Sequence, residues 1–363
     1  MVSQLPVRRK PKSRGLPPGQ KLLLALGLVG ICGVATSYVL RPHANNAQQP
    51  LPQTAVQAPQ AVARAATPFP LTQPMGDLTN QILGRANQPN LSAGVFIVEP
   101  STGRFVDINA RRAYSAASMI KLPILVRLLQ AVDAGTVKFD QNLTLRQELI
   151  GGGSGWLQWR KPGTQYTVEE TARLMMNFSD NTATNMIIDL LGGKEVLNAD
   201  FPKWGLQYTK VNDWLPDLPG TNTTSPYDLA FLLGRVDKGE LLSGSSRAWL
   251  LETLKHNRTR TLLPRGLPAG TIVSDKTGDI GKLVGDAGII TTATGNHYIV
   301  TVAVERPFND RRANALIRRI SKDAYIGITG DTAGAAKVVV DDEQKAAPKR
   351  SSKAPRHRRH RHR

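Results

Sequence analysis

Apolar residues recur at three- and four-residue spacing through Met119, Ile120, Leu122, Ile124, Leu125, Leu128 and Leu129. That spacing predicts a helix over residues 118–132, with Gly135 just beyond it as a stop. A shorter period rules on either side. Residues 92–99 and 104–109 are rich in β-branched and aromatic side chains and flank the turn Pro100-Ser-Thr-Gly103, so they read as a hairpin. Three further runs of strand character lie late in the chain, at 271–275, 285–292 and 298–305. Between the two groups the pattern is helical. Thr167-Val-Glu-Glu170 has the form of a capping box and opens a helix through Ala172, Leu174, Met175 and Met176. A second helix is expected over 182–191, stopped by Gly192-Gly193, and 227–255 is largely helical. Helical patterns also stand at Met75, Leu78, Ile82 and Leu83 and over 309–325. Residues 137–166, with the glycine cluster Gly151-Gly-Gly-Ser-Gly155, and 206–226 read as irregular. The economical packing is α/β, an α+β sandwich: a five-stranded antiparallel sheet built from both chain ends, helices on both faces, and an all-helical insertion.

Charge and composition change this picture only at the ends. The formal net charge is +19, but residues 1–21 carry six basic and no acidic groups and residues 337–363 ten basic and three acidic. The long middle keeps only +6, so a nucleic-acid partner is not expected. Leu22 to Leu40 is nineteen residues without a charge, just enough to cross a bilayer core of about 30 Å. Arg8, Arg9, Lys10, Lys12, Arg14 and Lys21 precede it. The positive-inside bias therefore predicts a basic cytoplasmic segment at 1–21, a single-pass signal anchor through the inner membrane at 22–40, and a periplasmic catalytic domain. A cleaved signal peptide is the alternative reading. Residues 41–72, rich in Pro, Gln and Ala, read as a disordered linker, 73–328 as one domain able to bury its own core, and 329–363 as a basic disordered tail. Anionic lipid or wall polymers are the partners expected for that tail. Cys32 is the only cysteine, so the domain has no disulfide to lean on. A monomer is expected, without cofactor or metal.

Candidate chemistry starts at Ser118-Met-Ile-Lys121. Residues three apart on a helix share a face, so a hydroxyl and an amine point the same way. A serine is a poor nucleophile until a base takes its proton, and a neutral amine one turn away can do so. Such a pair also arises by chance. Two further motifs add to it: Ser179-Asp-Asn181 between the middle helices, and Lys276-Thr-Gly278 at the end of the first late strand. Each has an ordinary reading alone, since Ser179 and Asn181 are natural helix caps and Lys276 could be a solvated charge.

In order and spacing, with 61 residues from Ser118 to Ser179, the three motifs resemble the class A serine β-lactamases and the related penicillin-binding proteins over about residues 73–328. The resemblance implies that Ser118 attacks a carbonyl carbon and is acylated, with Lys121 as base, its pKa depressed by Lys276 and by burial. Ser179 would relay the proton to the leaving nitrogen. Asn181 would hold a substrate amide, and Lys276 and Thr277, followed by Gly278, a substrate carboxylate. The backbone N–H groups of Ser118 and Asp279 would form the oxyanion hole. Trp156 either walls the cleft or packs at its rim.

One position departs from the family. Class A enzymes free the acyl group with a glutamate on a loop that typically reads Trp-Glu-Pro-Glu-Leu-Asn, and this chain has Trp214-Leu-Pro-Asp-Leu-Pro219. The glutamate's place falls on Leu215, which can neither accept a proton nor orient water; a shifted alignment puts Asp213 there instead. The expectation is a serine β-lactamase-like hydrolase with slow deacylation. The alternatives are a penicillin-binding protein or D,D-peptidase acting on cell-wall peptides, and a β-lactam-binding protein without turnover.

Overall fold

The computed structural model describes residues 66–340. The chain opens with strand β1 (Gln73–Pro74), helix α1 (Gly76–Ala86), the hairpin β2 (Ser92–Glu99) and β3 (Arg104–Ile108), and the short β4 (Tyr114–Ser115). A 3₁₀ turn over Ala117–Ile120 leads into α2 (Lys121–Asp133). The middle holds β5 (Asn142–Thr144), β6 (Gln165–Thr167), α3 (Val168–Asn177), α4 (Asn181–Leu190), α5 (Lys194–Asp200), β7 (Thr223–Thr224), α6 (Pro226–Asp237) and α7 (Gly244–Lys255). It closes with β8 (Ile272–Asp279), β9 (Leu283–Thr291), β10 (His297–Glu305), α8 (Arg312–Thr329) and α9 (Thr332–Ala336).

The main sheet runs β1-β3-β2-β10-β9-β8. It therefore has six strands where five were expected, and β1 joins β3 in parallel while every other neighbour is antiparallel. A two-residue strand ending in proline offers no alternation to read. What makes it a strand is tertiary, the Met75 N–H donating to Phe105 O at 2.8 Å. Strand β2 from the start of the fold and β10 from its end pair at the centre, so both ends of the fold do build one sheet.

Both sheet faces are covered. On one side Leu78 and Ile82 of α1 and Leu316, Ile317 and Ile320 of α8 share a core with Val95, Ile97, Val300 and Val302. On the other, Phe96, Val98 and Ile299 share a core with the middle helices. Burial on both faces is why β2 and β10 read as nearly continuous apolar runs. Truncating a residue such as Ile320 to alanine should cost about 2–5 kcal/mol, the range for a buried aliphatic side chain. The capping box on α3 forms as read: Glu170 N donates to Thr167 Oγ1 at 3.1 Å, and Thr167 N to Glu170 Oε2 at 2.8 Å. Such a cap contributes about 1 kcal/mol.

Fold and expectation differ at both ends. Phe69 is already buried in the core, and α8 and α9 run into residues expected to be tail. Residues 1–65 and 341–363, with the cytoplasmic segment, the anchor at 22–40 and the histidine-arginine tail, lie outside the described residues. Among the described residues no helix is long and apolar enough to cross a membrane. The longest, α8, carries Arg312, Arg318, Arg319, Lys322 and Asp323 along its eighteen residues. The single-pass inner-membrane placement is corrected accordingly: no part of the described fold carries it.

Candidate active site

Ser118 sits inside the 3₁₀ turn, and the α-helix begins only at Lys121. In a 3₁₀ turn side chains three apart eclipse one another. That stacks Lys121 Nζ 3.1 Å from Ser118 Oγ. The preceding Ala117 is left-handed, at φ 47°, and so is Ser179, at φ 54°. Non-glycine residues in that region cost about 1–3 kcal/mol each and persist only where neighbours hold them.

The second motif arrives through α4. Asp180 is that helix's cap, its Oδ1 accepting from Ala183 N at 2.9 Å, while its Oδ2 accepts from Trp156 N at 2.8 Å and Leu157 N at 2.9 Å. Capping thus falls to Asp180, and its neighbours are left for other work. Ser179 Oγ donates to Ser118 Oγ at 2.8 Å, and Lys121 Nζ lies 3.0 Å from both Ser179 Oγ and Asn181 Oδ1. Asn181 Nδ2 donates to Gly152 O at 2.9 Å, which ties the glycine cluster to the site. Trp156 is half-buried, edge-on to Tyr166 with Arg160 over its ring.

The third motif comes from β8, the edge of the sheet. Lys276 Nζ lies 3.2 Å from Ser179 Oγ, so one hydroxyl bridges two lysine amines and Ser118. Gly278 is required by contact: a β-carbon there would stand 3.0 Å from Ser118 N and 2.9 Å from Ala117 Cβ. The strand can lie against the nucleophile's amide only without a side chain. Thr277 is buried and Asp279 is exposed. The Asp279 carboxylate is engaged by Arg306, Nη2 to Oδ1 at 2.5 Å.

Electrostatics follow from depth. Lys121 and Lys276 are both fully buried. Burial first, and the Lys276 charge second, hold Lys121 well below the ordinary lysine value, against the pull of Asp180. Burial thus outweighs the like-charge repulsion expected to lead. Lys276 is brought down to about 8 by burial, opposed by the charges of Asp275 and Asp286. Those two acids are also fully buried: burial pushes Asp275 up to about 6, against the pull of Arg260 and Lys276, and burial with the neighbouring Asp275 holds Asp286 well above the usual range.

The loop at 213–222 holds the three residues weighed for the expected glutamate position in different environments. Leu215 is buried, and its backbone is clasped by Asn185, whose Oδ1 accepts from Leu215 N and whose Nδ2 donates to Leu215 O. Asp213 is exposed, its Oδ1 accepting from Trp214 N at 2.8 Å. Asp217 is buried and organises the turn, taking bonds from the backbone N–H groups of Gly220, Thr221 and Asn222. Neither acid contacts Ser118 or Lys121 among the described hydrogen bonds. Asn185 escaped notice in the sequence, although it stands one helical turn after Asn181 on the same face. Arg306 and Asp286 left no local signal.

A model of the β-lactamase enzyme family matches residues 77–327. The chain belongs to that family. It is similar to β-lactamase FAR-1 of Nocardia farcinica, 30% identical over 239 residues, 63% of this chain and 76% of FAR-1. Among solved structures it is similar to PBP-A, at 46% identity and a TM-score of 0.70 over 71% of this chain and 97% of that one. A leucine-to-glutamate variant of PBP-A, an acyl-enzyme complex with penicillin G, matches at 46% identity and a TM-score of 0.69 over 70% and 97%. A six-stranded sheet with helices on both faces is thus the family fold in this β-lactamase relative.

Proposed function

We propose that a β-lactam acylates Ser118 and that the acyl-enzyme is then hydrolysed slowly. As a member of its family the chain is a serine hydrolase acting on β-lactams, and the steps below assign its residues. The observation that carries them is the buried Lys121 amine, 3.1 Å from Ser118 Oγ and 3.0 Å from Ser179 Oγ. With its pKa depressed, Lys121 can be neutral near pH 7 and take the Ser118 proton. Ser118 Oγ then bonds to the lactam carbonyl carbon, and the backbone N–H groups of Ser118 and Asp279 receive the oxyanion. As the carbon–nitrogen bond breaks, Ser179 gives its proton to the leaving nitrogen and is resupplied from Lys121. Lys276 and Thr277, next to Gly278, take the substrate carboxylate, and Asn181 the side-chain amide.

Release of the acyl group needs a base for water, and Leu215 has none to offer. The same buried leucine favours a second reading, a D,D-peptidase acting on cell-wall peptides. It would share every acylation step and pass the acyl group to another acceptor. Intact-mass time courses after benzylpenicillin exposure test the proposal. One equivalent of adduct that persists for minutes or longer is expected, and Ser118→Ala should take no label. Labelling of Ser118→Ala at the wild-type rate would refute the scheme. Release of D-alanine from a D-alanyl-D-alanine peptide would select the second reading.

A further inference from the structure

Ser179 sits in a left-handed turn between α3 and α4, and part of what holds that turn lies outside the three motifs. Phe178, just before it, caps the C-terminal end of α3, and its O accepts from Ser154 Oγ at 3.2 Å. Asp180, just after it, donates its N–H to Leu174 O at 3.1 Å. A further hold comes from the segment that follows α7. Arg258 N donates to Asn177 O at 3.0 Å, and the Arg258 guanidinium lies over the half-buried Phe178 ring, 4.5 Å from its centroid. Cation and ring attract each other, and the negative end of the α3 dipole favours a positive charge in the same place. The neighbouring Asn257 is buried, with Nδ2 3.4 Å from Asp275 O, one residue before Lys276. Residues 257 and 258 therefore span the two pieces of chain that bring Lys276 Nζ within 3.2 Å of Ser179 Oγ.

We infer that Arg258 is a positioning residue for the proton relay, gripping Asn177 and Phe178 so that Ser179 stays in the left-handed turn from which its hydroxyl reaches Ser118, Lys121 and Lys276. Its own recorded contacts are with Asn177 and Phe178, one and two residues before the relay serine. Serine keeps a positive φ only where its surroundings enforce it. With the guanidinium gone from the Phe178 ring, the turn can relax toward the right-handed or extended regions, and Oγ moves off the leaving nitrogen. The inference rests on acylation of Ser118 with Ser179 as relay, as proposed above.

The test separates relay from fold through the leaving group. With benzylpenicillin, the carbon–nitrogen bond breaks as Ser179 gives a proton to the nitrogen. With the thioester of phenylacetylglycine and thioglycolic acid, Ser118 Oγ bonds to the carbonyl carbon, its proton passes to Lys121, and the carbon–sulfur bond breaks to release a thiolate that needs no proton. Acylation of the full chain is followed by intact mass for the first donor and by thiolate release for the second. Arg258→Ala is expected to slow the benzylpenicillin reaction about fivefold, the size of one partly exposed cation–π contact, and to leave the thioester rate within about 1.5-fold of wild type. Arg258→Lys keeps a cation for the ring and should recover most of the loss. Equal changes on the two donors in Arg258→Ala, none included, overturn the inference, and so does an Arg258→Lys variant no better than Arg258→Ala. Ser179→Ala examines the relay itself and should lose more on benzylpenicillin than on the thioester. Equal losses there overturn the relay reading, and this inference with it.

Discussion

The side chain of Asn185 holds the backbone of Leu215 from both sides, Oδ1 accepting from Leu215 N at 2.9 Å and Nδ2 donating to Leu215 O at 2.7 Å. Gly151 closes over the same spot, where a β-carbon would come within 2.2 Å of Leu215 O. Asn185 stands one turn beyond Asn181, whose Oδ1 touches Lys121 Nζ. The side chain at 215 is thus held in a fixed place beside α4.

Leu215→Glu should supply the missing base without disturbing the loop. The lifetime of the benzylpenicillin adduct is expected to fall by about 10²-fold, within the usual contribution of a placed general base. Intact-mass time courses read this directly. A lifetime equal to wild type would mean that position 215 does not face the acyl carbonyl.

Gly278→Ala probes the contact between β8 and the nucleophile. The added methyl would stand 3.0 Å from Ser118 N, crowding an oxyanion donor. Acylation should slow by about 10²-fold, comparable to the loss of one such donor. Overpacking should cost about 1–3 kcal/mol of stability. Stopped-flow acylation and thermal melting separate the two effects, and a stability loss with unchanged acylation would remove the Ser118 amide from the oxyanion site.

The buried acids predict a pH signature. Asp275, at about 6, and Asp286 both sit above the ordinary 3.8 in the fold. The folded state therefore holds protons that the unfolded chain releases. Their contribution to stability is complete below about pH 4 and declines as pH rises above it, the Asp275 share being lost as pH passes about 6. Asp286→Asn mimics the protonated acid at every pH. The difference in Tm between this variant and wild type should shift in the variant's favour between pH 4 and pH 7. A constant difference across that window would show that the pair does not titrate there.

Much of the site was legible because its parts are local. Ser118 and Lys121 are three residues apart, Ser179 and Asn181 two, and the box Thr167–Glu170 closes within one turn. The serine's helix was read one turn early, since apolar spacing does not separate a 3₁₀ turn from an α-helix. Strand β8 was read as ending at Asp275 and runs to Asp279, because polar residues at a catalytic edge break the alternation that marks a strand.

Sequence alone determined which residues carry hydroxyl, amine and amide, the order in which they come, and that position 215 is apolar. Tertiary structure decided what those groups can do. Only folding buries Lys121 and Lys276 away from water, which shifts their pKa values, and only folding sets Arg306 behind Asp279 and Asn185 around Leu215. Burial and pairing across 27 and 30 residues depend on where the chain returns to itself, and no local pattern records that.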